Sequence, residues 1–92
     1  MKEQFIEYLI SQGYKVETPS GKPSTVYDYS KRIDKVCRLE NTTWEGLAKN
    51  ITYIIVQYDK GGTKEEYGKQ SHDAVINALK RFSEYLEMQP MT

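Results

Sequence analysis

Two stretches of this chain combine lysine, serine, aromatic and amide side chains in a pattern that suits phosphate and base recognition. Their members are Lys22, Ser24, Thr25, Tyr27 and Lys31 in the first stretch, and Lys69, Ser71, His72, Asn77 and Lys80 in the second. Each stretch contains a predicted helix start, where free backbone N–H groups and the positive end of the helix dipole favour a phosphate. Gln70, His72 and Asn77 could also donate hydrogen bonds to base edges. The same residues fit ordinary helix capping with surface lysines, so residue types alone leave both interpretations open.

The sequence offers little support for catalysis. Cys37 is the only cysteine and His72 the only histidine, and nothing in the pattern brings the two together as a nucleophile and its base. The sequence contains no CxxC, no HExxH and no phosphate-binding glycine loop, and Gly61-Gly62 predicts a turn. We therefore predict a protein that is not an enzyme and uses no metal and no cofactor.

Length and charge restrict the classes of protein further. Ninety-two residues predict a single domain. Thirteen basic residues balance thirteen acidic residues, which argues against a nonspecific polycation for nucleic acid or membranes. A local basic patch remains possible, because the segment from Lys22 to Arg38 carries five basic residues against two acidic ones.

The sequence predicts a cytoplasmic protein with no membrane partner. The single cysteine cannot form an internal disulfide and suits a reducing compartment, and we expect it to be a buried apolar residue. The N-terminal segment MKEQFIEYLI carries acidic residues among its apolar ones, unlike a signal peptide. No apolar run approaches the roughly 18 residues that a transmembrane helix needs.

The spacing of apolar residues predicts an all-α domain of four main helices, over about residues 2–12, 24–40, 43–58 and 71–88. A short helical turn is possible near residues 63–67. The last helix has the strongest pattern, with Val75, Leu79, Phe82 and Leu86 at spacings of four, three and four. We expect the other helices to pack against it.

The same spacing predicts the core and the helix caps. The expected core residues are Phe5, Leu9, Val26, Ile33, Val36, Trp44, Leu47, Ile51, Ile55, Val75, Leu79, Phe82 and Leu86. Ile10 is expected on the inner face of the first helix, and Leu39 at the packed end of the second. Ser24, Thr42 and Ser71 are the expected N-caps. The run ITYIIVQY is rich in β-branched residues, but helical spacing begins before it and continues through it, so we predict a helix.

Four segments in order carry a family resemblance: FIEYLISQG, PSTVYDYSKRIDKV, WEGLAKNITYIIVQY and SHDAVINALKRFSEYLEMQP. Together they resemble the N-terminal core-binding domain of tyrosine recombinases, the phage integrases. That family has a short first helix of the form FxxYLxxxG. Its last helix has the form T-x-N-x-x-L-x-A-L-R-x-F-x-x-Y-L. The likeness covers about residues 5–90.

The resemblance implies a four-helix, SAM-like bundle that binds double-stranded DNA from one side. In that family the N-terminal halves of the second and fourth helices meet the grooves and phosphates. By position this implies contacts from Ser24, Thr25, Tyr27, Lys31, Lys35, Ser71, His72, Asn77 and Lys80. The family's catalytic domain has no counterpart here, so the resemblance implies a non-catalytic DNA-binding module from a bacterium or mobile element.

A second hypothesis is a small protein-interaction module that keeps the fold without binding DNA. The zero net charge and the eight tyrosines favour it, since tyrosine is common at protein interfaces. On this hypothesis the partner is another protein or a further copy of the same chain.

Overall fold

The computed structural model describes residues 1–14 and 25–88, without the side chains of Ser71 and His72. Within those ranges the chain forms six helices and no strand. They are α1 (Lys2–Ser11), α2 (Thr25–Leu39), α3 (Trp44–Lys49), α4 (Ile51–Tyr58), α5 (Glu65–Gly68) and α6 (Gln70–Glu87). The prediction of an all-α domain is confirmed. Within the described ranges no helix combines the length and apolarity needed to cross a bilayer.

Helix α6 is the element on which most of the bundle is built. It packs against α1, α2, α4 and α5, and its most extensive interface is with α2. Val75, Leu79 and Phe82 of the predicted stripe are fully buried, and Leu86 packs at the edge of the core. The period of that stripe therefore did predict the central helix.

An aromatic cluster fastens α1 and α3 to the C-terminal half of α6. The ring centroid of Phe82 lies 5.3 Å from that of Phe5 and 5.3 Å from that of Trp44, both edge to face. Tyr85 lies 5.8 Å from Phe5 in a similar orientation. These separations fall in the range that favours aromatic pairs.

Most of the predicted core is confirmed. Ten of its members are buried: Phe5, Leu9, Val26, Ile33, Val36, Leu47, Ile51, Val75, Leu79 and Phe82. Trp44, Ile55 and Leu86 are partly buried against them. The predictions that Ile10 and Leu39 pack inward are wrong, because each side chain is 43% exposed. The buried stripe of α1 is narrow, and Ile10 is turned about 100° from the buried Leu9.

The single helix predicted over residues 43–58 is wrong, because it divides at Asn50 into α3 and α4. The backbone N–H of Asn50 donates to Leu47 O over 3.1 Å, an i→i−3 bond that tightens the turn. The Asn50 side-chain amide donates to Gly46 O over 3.2 Å. Asparagine and glycine are both weak helix formers, and an asparagine side chain competes for backbone groups.

Two of the predicted N-caps also differ from those in the structure. Thr43, rather than Thr42, caps α3, and its hydroxyl accepts a hydrogen bond from the Gly46 N–H over 3.1 Å. Helix α6 begins at Gln70, so Ser71 lies inside its first turn instead of capping it. The cap predicted at Ser24 lies outside the described residues. The short turn predicted near residues 63–67 is present as α5, shifted by a residue or two.

Two carboxylates hold helices together at the edge of the core. Asp34 on α2 accepts from Lys2 Nζ at 2.8 Å and from Trp44 Nε1 at 2.9 Å, which joins α1 and α3 to α2. Glu40, just after α2, is contacted by Tyr58 at the end of α4 and by Lys64 before α5. Both carboxylates therefore have structural partners in the fold.

Candidate nucleic-acid interface

Four of the eleven predicted contact residues have no described side chain. Lys22 and Ser24 lie outside the described residues, and only the backbone of Ser71 and His72 is described. The remaining seven are Thr25, Tyr27, Lys31, Lys35, Lys69, Asn77 and Lys80. The lysines on α2 have no carboxylate partner among the described residues, whereas Lys69 and Lys80 are paired with acidic side chains.

The outward side of α2 carries a basic face formed by Tyr27, Lys31, Lys35 and Arg38. These residues follow one another at i, i+4, i+8 and i+11, so they share one side of the helix. The opposite side holds the buried residues Val26, Ile33 and Cys37. Amphipathic spacing explains the orientation, because burying the apolar side turns the lysines outward. Thr25, the first residue of α2, is exposed, but its position two residues before Tyr27 places it on another side of the helix.

The cations of the basic face have no carboxylate partner within the part of the chain that the structure describes. Lys31, Lys35 and Arg38 form none of its ion pairs. Arg38 is near enough to Asp34 to help lower the pKa of that carboxyl, but the hydrogen bonds of Asp34 go to Lys2 and Trp44. Two exposed cations, Lys31 and Arg38, and the half-buried Lys35 therefore lie on one side of α2 without a carboxylate partner.

Lys35 also connects the basic face to the start of α6. Its ammonium donates to Oε1 of Gln70 over 2.8 Å, across the interface between α2 and α6. Because Gln70 is the first residue of α6, this bond brings one end of the second predicted stretch against the first. The two predicted regions are thus adjacent at this point.

The cations of the second stretch are paired with acids. Lys80 Nζ lies 3.4 Å from Oδ2 of Asp59, and Lys69 Nζ lies 3.4 Å from Oε1 of Glu66. Asn77 is exposed and lines a cleft of about 190 Å³ together with Lys69 and Lys80. Asp59, Glu65 and Asp73 line the same cleft, so its charges are balanced. A role for this side in binding an anion stays a prediction.

Arg38 belongs to the basic face, but the residue-by-residue prediction did not include it. Its spacing of seven residues from Lys31 was the available signal, since two helical turns return to the same side. The resemblance pointed to the N-terminal half of the helix, whereas Arg38 lies near the C-terminal end.

The cysteine is poorly suited to nucleophilic chemistry. Burial, with smaller contributions from Asp34 and Glu45, raises the pKa of the Cys37 thiol to about 11. Because the thiolate is the reactive form, the Cys37 thiol is a poor nucleophile near neutral pH. Among the described residues there is also no group of three or more His, Cys, Asp or Glu side chains that could hold a metal ion.

No protein-family model, curated protein or solved structure matches this chain.

Proposed function

We propose that this chain is a non-catalytic module that binds double-stranded DNA, in the manner of the integrase core-binding domains that its sequence resembles. The observation that carries the proposal is the basic face of α2. Lys31, Lys35 and Arg38 lie along one side of the helix and have no carboxylate partner among the described residues. A polyanion is the partner that such a row of cations favours.

The distribution of charge reconciles this proposal with a net charge of zero. Helix α2 holds four basic residues and two acidic ones, and Asp34 is occupied by Lys2 and Trp44. The exposed side of α1 carries Glu3 and Glu7, and α5 begins with Glu65 and Glu66. The acidic residues that cancel the charge thus belong largely to other helices, and α2 itself keeps an excess of two positive charges.

The dimensions of α2 suit a duplex. Lys31 and Arg38 are separated by about 10 Å along the helix axis, at roughly 1.5 Å per residue. An α-helix with its side chains is about as wide as the major groove of B-DNA, so α2 can enter the groove or lie along its edge. Lysine contacts to phosphate fix position and carry no sequence information. We therefore expect binding that depends strongly on salt and weakly on sequence.

The test is a salt titration of duplex binding, followed by fluorescence anisotropy of a labelled duplex. The double variant K31Q/K35Q should bind more weakly than wild type. It should also reduce the slope of log K against log salt by roughly 2, about 0.9 for each phosphate that is no longer neutralised. A matched control is K49Q/K60Q, which removes the same charge from two exposed lysines on other elements. This control should retain most of the affinity and most of the slope.

Two results would overturn the proposal. One is the absence of binding to any duplex at about 50 mM salt, where phosphate contacts are strong. The other is an equal loss of affinity in K31Q/K35Q and K49Q/K60Q, which would mean that overall charge matters and the basic face does not.

A further inference from the structure

Lys35 on α2 and Gln70 on α6 meet in a contact that fixes the orientation of the Gln70 amide. The Lys35 ammonium donates to Gln70 Oε1 over 2.8 Å. An ammonium has donors and no acceptor, so it must face the carbonyl oxygen of the amide, which turns the Nε2 amino group away from Lys35. Gln70 is exposed and Lys35 is half-buried. The Gln70 amino group therefore lies at the surface, and no acceptor among the described residues takes up its N–H groups.

This donor pair, Lys35 with Gln70, presents hydrogen-bond donors to a ligand. The Lys35 ammonium keeps further N–H groups beyond the one given to Gln70, and the amide keeps both of its own. The carbonyl oxygen of the amide is the acceptor of the pair, and Lys35 already occupies it. Within the described residues Lys35 forms no ion pair with a carboxylate. The donor pair therefore suits a ligand edge on which two acceptors are neighbours.

The donor pair lies in the middle of the basic face. Lys35 follows Lys31 by four residues and precedes Arg38 by three. On the proposed function, Lys31 and Arg38 bind phosphates along a groove of a DNA duplex. A side chain between them then lies over the groove itself, where the edges of the bases are exposed. The donor pair is therefore placed to meet base edges.

We propose that the donor pair reads a guanine in the major groove, an inference that rests on the proposed function. Guanine presents two neighbouring acceptors there, N7 and O6, whereas adenine presents N7 beside an amino donor. Gln70 Nε2 donates to N7 of the guanine, and the Lys35 ammonium donates to O6. A glutamine that is free to use both of its amide atoms pairs with adenine instead. Lys35 is thus also a positioning residue for Gln70, because it occupies the oxygen that adenine needs and so changes the preferred base to guanine.

The experiment is a selection of duplexes by the full chain from a pool of randomised sequence at about 50 mM salt, followed by sequencing of the bound fraction. Wild type should enrich guanine at one position, on the order of 10-fold over adenine. Gln70→Ala should lose this preference but keep the salt dependence of binding, because the change removes no charge. Lys35→Met nearly keeps the length of the side chain, removes the ammonium and should change the preferred base to adenine. Gln4→Ala, at an exposed glutamine on α1, is the matched control and should keep the preference for guanine.

Bound duplexes without a preferred base would overturn this inference and leave the proposed function standing. A preference for adenine in wild type would also contradict it, as would a preference for guanine that persists in Gln70→Ala or in Lys35→Met. No binding to any duplex would overturn the proposed function and this inference together. Circular dichroism separates loss of base preference from loss of folding. Gln70→Ala alters an exposed side chain and still tests the inference if Lys35→Met unfolds.

Discussion

The hydroxyl of Tyr58 donates a hydrogen bond to Oε2 of Glu40 over 2.8 Å, which joins the end of α4 to the turn after α2. Lys64 binds the same carboxylate oxygen, and its ammonium lies 5.7 Å from the centroid of the Tyr58 ring. Tyr58 is only 1% exposed. Burial and the adjacent carboxylate raise the pKa of Tyr58, so the phenol stays protonated and remains a donor.

Removing the Glu40 carboxylate should destabilise the fold. Glu40→Ala leaves the Tyr58 hydroxyl buried without its acceptor, which should lower the free energy of unfolding by about 2 to 3 kcal/mol. Tyr58→Phe removes the donor but keeps the contact of Glu40 with Lys64, and should cost about 1 kcal/mol. Urea unfolding followed by circular dichroism measures both. Equal stability of Glu40→Ala and wild type would contradict the structural role of this contact.

Acidic pH should lower the stability of the fold because Asp34 and Glu40 become protonated. Burial alone would raise the pKa of each carboxyl, but hydrogen bonds to Asp34 from Lys2 and Trp44 outweigh it, as do those to Glu40 from Lys64 and Tyr58. Both pKa values are therefore lower in the folded state. Their stabilising contribution is complete above the unfolded values of about 4 and is lost as the pH falls through the lower folded values.

The measurement for this pH effect is the urea midpoint at neutral pH and near pH 3. The double variant Asp34→Asn/Glu40→Gln cannot titrate at these positions. It should start less stable than wild type and lose less stability on acidification. An identical pH dependence in the two proteins would show that other carboxylates are responsible.

Gly68 is expected to be intolerant of a side chain. A Cβ atom at Gly68 would overlap the carbonyl oxygen of Tyr58, which is backbone and cannot move aside cheaply. Gly68→Ala should cost about 1 to 3 kcal/mol through overpacking, measured by urea unfolding. Gly46→Ala is the comparison, because its closest neighbour is the Thr42 hydroxyl, which can rotate away. It should be neutral or stabilising by up to about 1 kcal/mol.

Cys37 should react slowly in the folded protein. With its pKa raised to about 11 by burial foremost, the thiolate population at pH 8 is on the order of 100-fold below that of an ordinary cysteine. Limited access should slow the reaction further, because Cys37 is 7% exposed. The rate of reaction with a disulfide reagent, with and without denaturing urea, measures the protection. Comparable rates in the two conditions would contradict it.

Periodicity predicted the parts of the fold that repeat along a helix. The stripes of α2 and α6 have a regular spacing, and Val26, Ile33, Leu79 and Phe82 are buried as their positions required. The break at Asn50 could not be obtained in this way, because apolar spacing continues across it. The side-chain amide of Asn50 binds the carbonyl of Gly46 there, and this effect of a single residue ends α3.

The charged contacts of the candidate site were the harder part to predict. The orientation of Lys31 and Lys35 follows from helical spacing, so it could be inferred from the sequence. The pairing of Lys80 with Asp59 joins residues 21 positions apart, and that of Lys64 with Glu40 joins residues 24 apart. Such pairs depend on how the helices dock, which no local pattern specifies. The sequence therefore indicated where the cations lie but not which of them are neutralised.

Trp44 lies where four helices meet, and it is the only tryptophan in the chain. It begins α3, its indole donates to Asp34 on α2, and its ring packs against Phe5 on α1 and Phe82 on α6. The intrinsic fluorescence of Trp44 therefore reports on the packing of those helices without any added label. Because Trp44 does not belong to the basic face, a variant altered only in DNA binding should keep the wild-type spectrum.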